Sequence, residues 1–243
     1  LTGKGIRAIF AALQHEPRIT LMTAVDFAQA RYNMVEQQVR PWDVLDQRVL
    51  DIMGSVPREA FAPQAYRNLA YADIAIPLAD GQAMLHPKYE GRILQALAIG
   101  AYDNVLEIGT GSGFLTACLA ALARHVRSID VRTAFIEEAG EKLAARNIDN
   151  VTLAAADLFA DGLDEGPGRY DAIAVGGALD RVPQTLRDAL SIDGRLFVVI
   201  GSEPMMEAQL ITRVGPQEWT TEGLFDGVLP KLENEPDERP FVF

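Results

Sequence analysis

An α/β fold with one mostly parallel sheet, ending in an antiparallel hairpin, is predicted by three observations. Between residues 104 and 201, short apolar runs alternate with segments of helical spacing. Such alternation means parallel strands joined by right-handed crossover helices. The first of these runs feeds a glycine-rich turn, E-I-G-T-G-S-G (107–113), which opens a helix. After residue 201 the rhythm breaks, and "EAQLITRVGPQEWTTEGLF" reads as strand, Gly215-Pro216 turn, strand.

Taken in order, residues 1–21 are locally basic (Lys4, Arg7, Arg18 against Glu16) and differ in character from the rest of the chain. They read as a leader or cloning remnant, with a natural start at Met22 and no signal-peptide cleavage pattern. From Asp26 to Val39, apolar residues at helical spacing predict a helix ended by Pro41. A second helix starts at the N-cap Asp46 and runs to Pro57. Tyr71 to Leu78 reads as a connecting strand or extended loop, and "GQAMLHPKY" (81–89) as a loop closed by Pro87. "YEGRILQALAI" is a helix stopping at Gly100. Strands are expected at 104–109, 126–131, 151–157, 170–177 and 194–201, with helices at 114–123, 132–147 and 184–190. The hairpin completes a seven-stranded sheet. "ENEPDERP" (233–240) reads as a solvated turn or tail.

Composition narrows the function. With 49% hydrophobic and 23% charged residues, the 243-residue chain has the balance of a globular protein. A single cysteine, Cys118, excludes an internal disulfide and a cysteine-based zinc site, points to a reducing cytoplasm, and sits in an apolar run that makes it core. The net charge of −12 would repel a polyanion, so nucleic acid is not an expected partner. No apolar run approaches the ~18 residues of a membrane span.

The glycines stand at 109, 111 and 113, with Phe at 114, so the third comes one residue earlier than in the dinucleotide fingerprint G-x-G-x-x-G. Glu107 lies two residues before the first glycine and is expected to face the pocket. A carboxylate there suits a cationic, phosphate-free nucleoside better than a pyrophosphate. Asp130 ends the next strand, where an acid can accept both ribose hydroxyls, and Asp157 ends the third, where it could meet an adenine amino group or simply cap a turn. S-adenosylmethionine fits such a cluster, and a dehydrogenase is the other reading open at this point.

Longer stretches carry a resemblance. "NMVEQQVRPWDVLDQRVLDIMGSVPREAFAP" (33–63), "YADIAIPLADGQAMLHP" (71–87), "VLEIGTGSGFLTACLA" (105–120), "RYDAIAVGGAL" (169–179) and "GRLFVVIG" (194–201) occur in the order of the protein-L-isoaspartate O-methyltransferase family, which this chain resembles over roughly 200 residues. The resemblance implies a Rossmann-like class I methyltransferase fold, with residues 22–100 as a helical cap carrying the acceptor loop and 101–243 as the cofactor-binding domain. It implies S-adenosyl-L-methionine as methyl donor and the α-carboxylate of an L-isoaspartyl residue in a damaged protein or peptide as acceptor. The matching cofactor positions are Glu107, Gly109, Thr110, Gly111, Gly113, Asp130 and Asp157, with Val131 and Leu158 beside the last two acids. No metal is implied.

The acceptor loop departs from that pattern. Where the family has G-Q-T-I-S-x-P, this chain has Gly81-Gln82-Ala83-Met84-Leu85-His86-Pro87, so both hydroxyls are gone. Gly176-Gly177 likewise replaces a T-A-type pair. Met84 and Leu85 then read as an apolar wall over the cofactor's sulfur. Gln82 and His86 are the candidate acceptor contacts, His86 the one candidate for chemistry, and Lys88 reads as solvated surface. Altered chemistry on the same carboxylate, a small-molecule acceptor such as another carboxylate, or cofactor binding without turnover are all compatible with an intact donor site beside this loop.

Overall fold

The computed structural model describes residues 25–163, 166 and 168–236. The N-terminal segment, Met22 and residues 237–240 of the acidic tail lie outside the described residues.

Asp26 caps α1 (Phe27–Met34), its carboxylate accepting from the N–H groups of Ala28 and Gln29 at 3.1 Å. The helix does not continue regularly to Val39. The chain widens into a π-turn over Val35–Val39 and tightens into a 3-10 turn over Arg40–Trp42. Pro41 accounts for this: it has no N–H to give and its ring crowds the carbonyl four residues back. α2 (Gln47–Ser55) is capped by Asp46 as expected and buries Val49, Leu50 and Met53.

The stretch before the loop holds only a two-residue strand, β1 (Ile76–Pro77), and the loop itself supplies β2 (Ala83–Met84). The two pair antiparallel, Ile76 opposite Met84 and Pro77 opposite Ala83. Pro87 does not close the loop but opens α3 (Pro87–Leu97) at its first position, where a missing N–H removes no helical bond.

The main sheet has seven strands in the order β5-β4-β3-β6-β7-β8-β9. They are β3 (Asn104–Ile108), β4 (His125–Asp130), β5 (Val151–Ala155), β6 (Tyr170–Leu179), β7 (Leu190–Ser202), β8 (Met205–Gly215) and β9 (Glu218–Asp226). Strands β3 to β7 run parallel to one another, while β8 and β9 form the antiparallel ending. β7 begins four residues earlier than the sequence reading gives, because Leu190 pairs with Tyr170 before the ladder shifts register. The crossover helices are α4 (Phe114–Leu122), α5 (Thr133–Ala144) and α6 (Gln184–Ala189).

Two apolar layers sandwich the sheet. One joins Val105, Val126, Ala172, Ala174 and Phe197 to the N-terminal helices, α3 and α4; the other joins Leu106, Ile108, Ile173 and Val198 to α6. Alternation along each strand assigns its residues to one layer or the other. Cys118 is buried in the first layer, as its apolar setting predicts.

Candidate functional site: a cleft at the carboxyl edge of the sheet

Strand order reverses between β3 and β6, and open α/β sheets bind ligands at the carboxyl ends of the strands at such a point. Here the chain passes through glycines that touch. A Cβ on Gly176 would stand 3.1 Å from the Gly109 carbonyl oxygen, so a side chain there would need the backbone to give way. Gly109, Gly111 and Gly113 all have positive φ (92°, 49° and 82°), a region that L side chains rarely adopt. Gly113 is further constrained, since a Cβ there would lie 2.9 Å from the Ala139 Cβ of α5. The outcome is a neck walled by bare backbone.

Two cavities meet at that neck. The larger, about 620 Å³, is lined by Gly109, Gly111, Asp130, Val131, Asp157 and Leu158, with Arg132, Phe135, Gln82 and Ala83 around them. The smaller, about 330 Å³, is lined by Met84, Leu85, Glu90, Thr110, Ser112 and Leu115, and shares Ala83, Gly109, Gly111 and Gly176 with the first. Met84 and Leu85 therefore wall the smaller cavity and not the larger.

Glu107 does not face either cavity. It is fully buried beneath the glycine turn, where its Oε2 accepts from Thr116 at 2.5 Å and Ser128 at 2.6 Å. Ser128 gives its proton to Glu107, so Thr110, 2.6 Å away, donates to Ser128. The other carboxylate oxygen, Oε1, is buried with no hydrogen-bond partner. Burial pushes this carboxyl up to about 7, against the pull of the Ser128 and Thr116 hydroxyls. Glu107 shares a strand face with Val105, and that face is roofed by α4; this alternation carries it away from the open edge.

Asp130 stands where the sequence reading puts it, lining the cleft at the end of β4. Each of its oxygens already accepts one backbone N–H, from Gly111 at 3.0 Å and from Arg132 at 2.9 Å. A carboxylate oxygen has a second lone pair, so both remain able to accept from a ligand. Asp157 does cap a turn, accepting from Phe159 at 2.8 Å, while its other oxygen accepts from Asn234 at 2.7 Å.

Asn234 belongs to an element that the sequence reading missed. Residues 229–235 run back across the end of β6 as a strap, with Ala178 N–H bonded to Pro230 O and Leu232 N–H to Ala178 O, both at 2.8 Å. Lys231, Leu232 and Glu233 complete the wall of the larger cavity. Glu233 accepts from Gln82 at 3.1 Å and from Arg132, and Glu235 accepts from the Asp180 N–H at 2.8 Å. Residues 233 and 234 do form a turn, as the sequence reading allows, but Glu233 and Glu235 are docked rather than solvated; the acids find donors that only the folded chain provides. The strap also explains Gly177, because a Cβ there would be 3.0 Å from Leu232 N and 3.2 Å from Pro230 O.

The remaining loop residues turn outward. His86 lines neither cavity; its Nδ1 is 3.1 Å from Asp73 Oδ1. Lys88 is not free surface either. It pairs with Asp73 at 2.8 Å, lies 4.5 Å over the Trp42 ring, and has a side chain only 16% exposed. Arg58, from the stretch V-P-R-E, was not singled out from sequence, yet it holds the loop. Fully buried, it donates to Ala70 O at 2.8 Å, to Leu85 O and to Glu90, and covers the Phe114 ring at 4.8 Å.

A family model described as protein-L-isoaspartate(D-aspartate) O-methyltransferase matches residues 29–223. The chain belongs to the protein-L-isoaspartate O-methyltransferase family. A relative named protein-L-isoaspartate O-methyltransferase from Rhodopseudomonas palustris (strain ATCC BAA-98 / CGA009) is 37% identical over 209 residues, 85% of this chain and 95% of that one. One of the same name from Roseiflexus sp. (strain RS-1) is 35% identical over 78% of this chain and 84% of that one. Among solved structures, a Plasmodium falciparum chain described as a beta-aspartate methyltransferase, in complex with S-adenosyl-L-homocysteine, superposes with a TM-score of 0.72. It covers 86% of this chain and 99% of its own at 19% identity, a likeness of fold.

The family's methyl donor is S-adenosylmethionine. The residues present fit it: a glycine neck without side chains, an acid at the end of β4 with acceptor capacity left, and apolar Val131, Phe135 and Leu158 beyond. Among the described residues, no helix is long and apolar enough to cross a membrane. Replacing Gly177 by Val should push the strap off the cleft. We expect S-adenosylhomocysteine affinity to fall about tenfold, with a stability loss of about 1–3 kcal/mol from the forced contact. Calorimetry and urea titration check both; unchanged affinity in the folded variant would show that the strap does not close the site.

Proposed function

We propose that this protein transfers the methyl group of S-adenosylmethionine to the α-carboxylate of an L-isoaspartyl residue in a damaged protein or peptide. The observation that carries the reading is Ala83, a residue of the acceptor loop that lines both cavities at the glycine neck, in a chain of this family. An acceptor held by that loop lies next to the neck, where the donor crosses from one cavity to the other. Asp130 would take the ribose hydroxyls, Val131 and Leu158 would flank the adenine, and Asp157 would reach its amino group. The backbone of Gly109 and Gly111 would pass beneath the sulfur, with Met84 and Leu85 as the apolar wall. Thr110, Glu107 and Gly113 would act by holding the glycine turn, and Gln82 by fixing the acceptor loop to the strap.

When bound, S-adenosylmethionine supplies an electrophilic methyl on a sulfonium, so a C–O bond forms as the C–S bond breaks. The acceptor carboxylate is ionised near pH 7, with an ordinary pKa near ~4, and needs no general base. The outward-facing His86 is consistent with that. What remains for the protein is to align oxygen, carbon and sulfur and to exclude water. The negative acceptor and positive donor become two neutral products, so an apolar wall at Leu85 favours the transfer once both are seated, while it makes seating the carboxylate harder. The single, buried Cys118 fits a reducing cytoplasm.

The test is transfer of radiolabelled methyl to an isoaspartyl peptide, followed by mild base. A methyl ester releases methanol and an N-methyl product does not. Leu85→Ser, which returns a hydroxyl to the loop, should lower KM for the peptide about tenfold, because a hydrogen bond to the carboxylate eases its seating, with little gain in kcat. Base-stable product, or a small carboxylate methylated in preference to the peptide, would overturn the assignment of the acceptor.

A further inference from the structure

The acid that reaches the smaller cavity is not Glu107 but Glu90, on α3. The residue is 2% exposed and lines the smaller cavity, together with Leu85, Thr110 and Ser112. S-adenosylmethionine has two ends, an adenosine and an amino acid, joined at the sulfonium. The larger cavity carries Asp130 and then an apolar floor, which suits the adenosine. From there, the amino-acid end must cross the neck of Gly109, Gly111 and Gly176, and the smaller cavity is what opens on the other side. A desolvated ammonium needs a counter-charge, and Glu90 is the carboxyl in that wall.

We propose that Glu90 binds the α-ammonium group of S-adenosylmethionine, seating its amino-acid end in the smaller cavity. This rests on the reading of the larger cavity as the adenosine site. Arg58 is the second half of the device. It holds Glu90 from behind and, through Leu85 O, fixes the acceptor loop to the same carboxyl, so the donor's amino-acid end and the acceptor loop share one anchor.

The charges around Glu90 give the binding a pH signature. Burial pushes its carboxyl up, to about 8, while Arg58 from the turn after α2 pulls it down and Glu107 from β3 pushes it up; Cys118 on α4 is close enough for Glu90 to act on it. Burial favours the protonated carboxyl in the empty site and an arriving ammonium favours the ionised one, so binding is accompanied by proton release. Affinity for a ligand with the amino-acid end therefore rises with pH toward about 8 and falls again where the ligand's own α-amino group, with an ordinary pKa of about 8, gives up its proton.

Two ligands separate this from a structural role. S-adenosylhomocysteine has the amino-acid end, and 5′-methylthioadenosine lacks it. Glu90→Gln should weaken S-adenosylhomocysteine about thirtyfold, as expected for a lost charge-assisted bond, and change methylthioadenosine less than about threefold. Equal loss for both ligands, or no loss for either, overturns the role of Glu90. Because the variant leaves Arg58 without its counter-charge and could misfold, wild-type calorimetry at pH 7 in buffers of different ionisation enthalpy gives a second reading. Proton release with S-adenosylhomocysteine and none with methylthioadenosine is the expected result; equal release overturns the proposal. If neither ligand binds the wild type, the adenosine site itself falls, and Glu90's role with it.

Discussion

Replacing Arg58 by Met should cost about 3–5 kcal/mol of stability at pH 8.5 and less at pH 6. Arg58 is fully buried and bonded to Ala70 O, Leu85 O and Glu90. Removing it orphans two carbonyls and leaves Glu90 without a counter-charge, and breaking one side of a buried pair typically costs that much. The pH dependence comes from Glu90. Burial raises the Glu90 carboxyl, so as pH falls it takes up its proton in wild type and more of the loss is of hydrogen bonds; as pH rises, the variant must bury an unpaired charge or hold a proton against the solvent. Urea titrations at the two pH values measure the difference. The double variant Arg58→Met/Glu90→Leu should recover at least half of the loss, because an apolar pair in place of a buried ion pair is often neutral. A single-variant loss below about 1 kcal/mol would mean the pair does not hold the loop. The same variant should also weaken S-adenosylhomocysteine, since Leu85 loses its anchor.

Asp130→Ala should raise the dissociation constant for S-adenosylhomocysteine by about 10²–10⁴. Two charge-assisted hydrogen bonds to ribose hydroxyls, each worth ~1.5–3 kcal/mol, set that scale. The carboxylate also holds the Gly111 and Arg132 N–H groups, so its loss loosens the glycine turn as well as the ligand. Asp130→Asn separates the two effects. It keeps one acceptor oxygen and should lie between wild type and Ala, with a smaller stability loss. Calorimetry gives the affinities and thermal melts the stability. A change within threefold for Ala would remove Asp130 from the cofactor site.

The fold was legible because its signals are local. Strands β3 to β6, helices α4 and α5 and the closing hairpin each declare themselves through spacing within a dozen residues. The errors fall where a local pattern meets a neighbour it cannot see. The first helix loses its regular ladder near Pro41, whose effect reaches four residues back. Lys88 looks like surface until Trp42 and Asp73 close over it. Gly176-Gly177 looks like a lost side-chain pair until Gly176 is found against the Gly109 backbone and the strap against Gly177.

Local patterns were enough for the class of the sheet, the place of the glycine turn and the acid at the end of β4, because strand periodicity and glycine's backbone freedom are properties of short segments. Packing between distant segments chose which acids reach the ligand cavities. Glu107 sits two residues from the turn, yet strand alternation buries it under α4, while Glu90, seventeen positions earlier, enters the cavity wall because α3 packs beside the neck. The same packing brings Glu233 to Gln82 across 151 positions. A charged side chain takes its role from the groups that replace its water, and those arrive from parts of the chain that no local pattern connects.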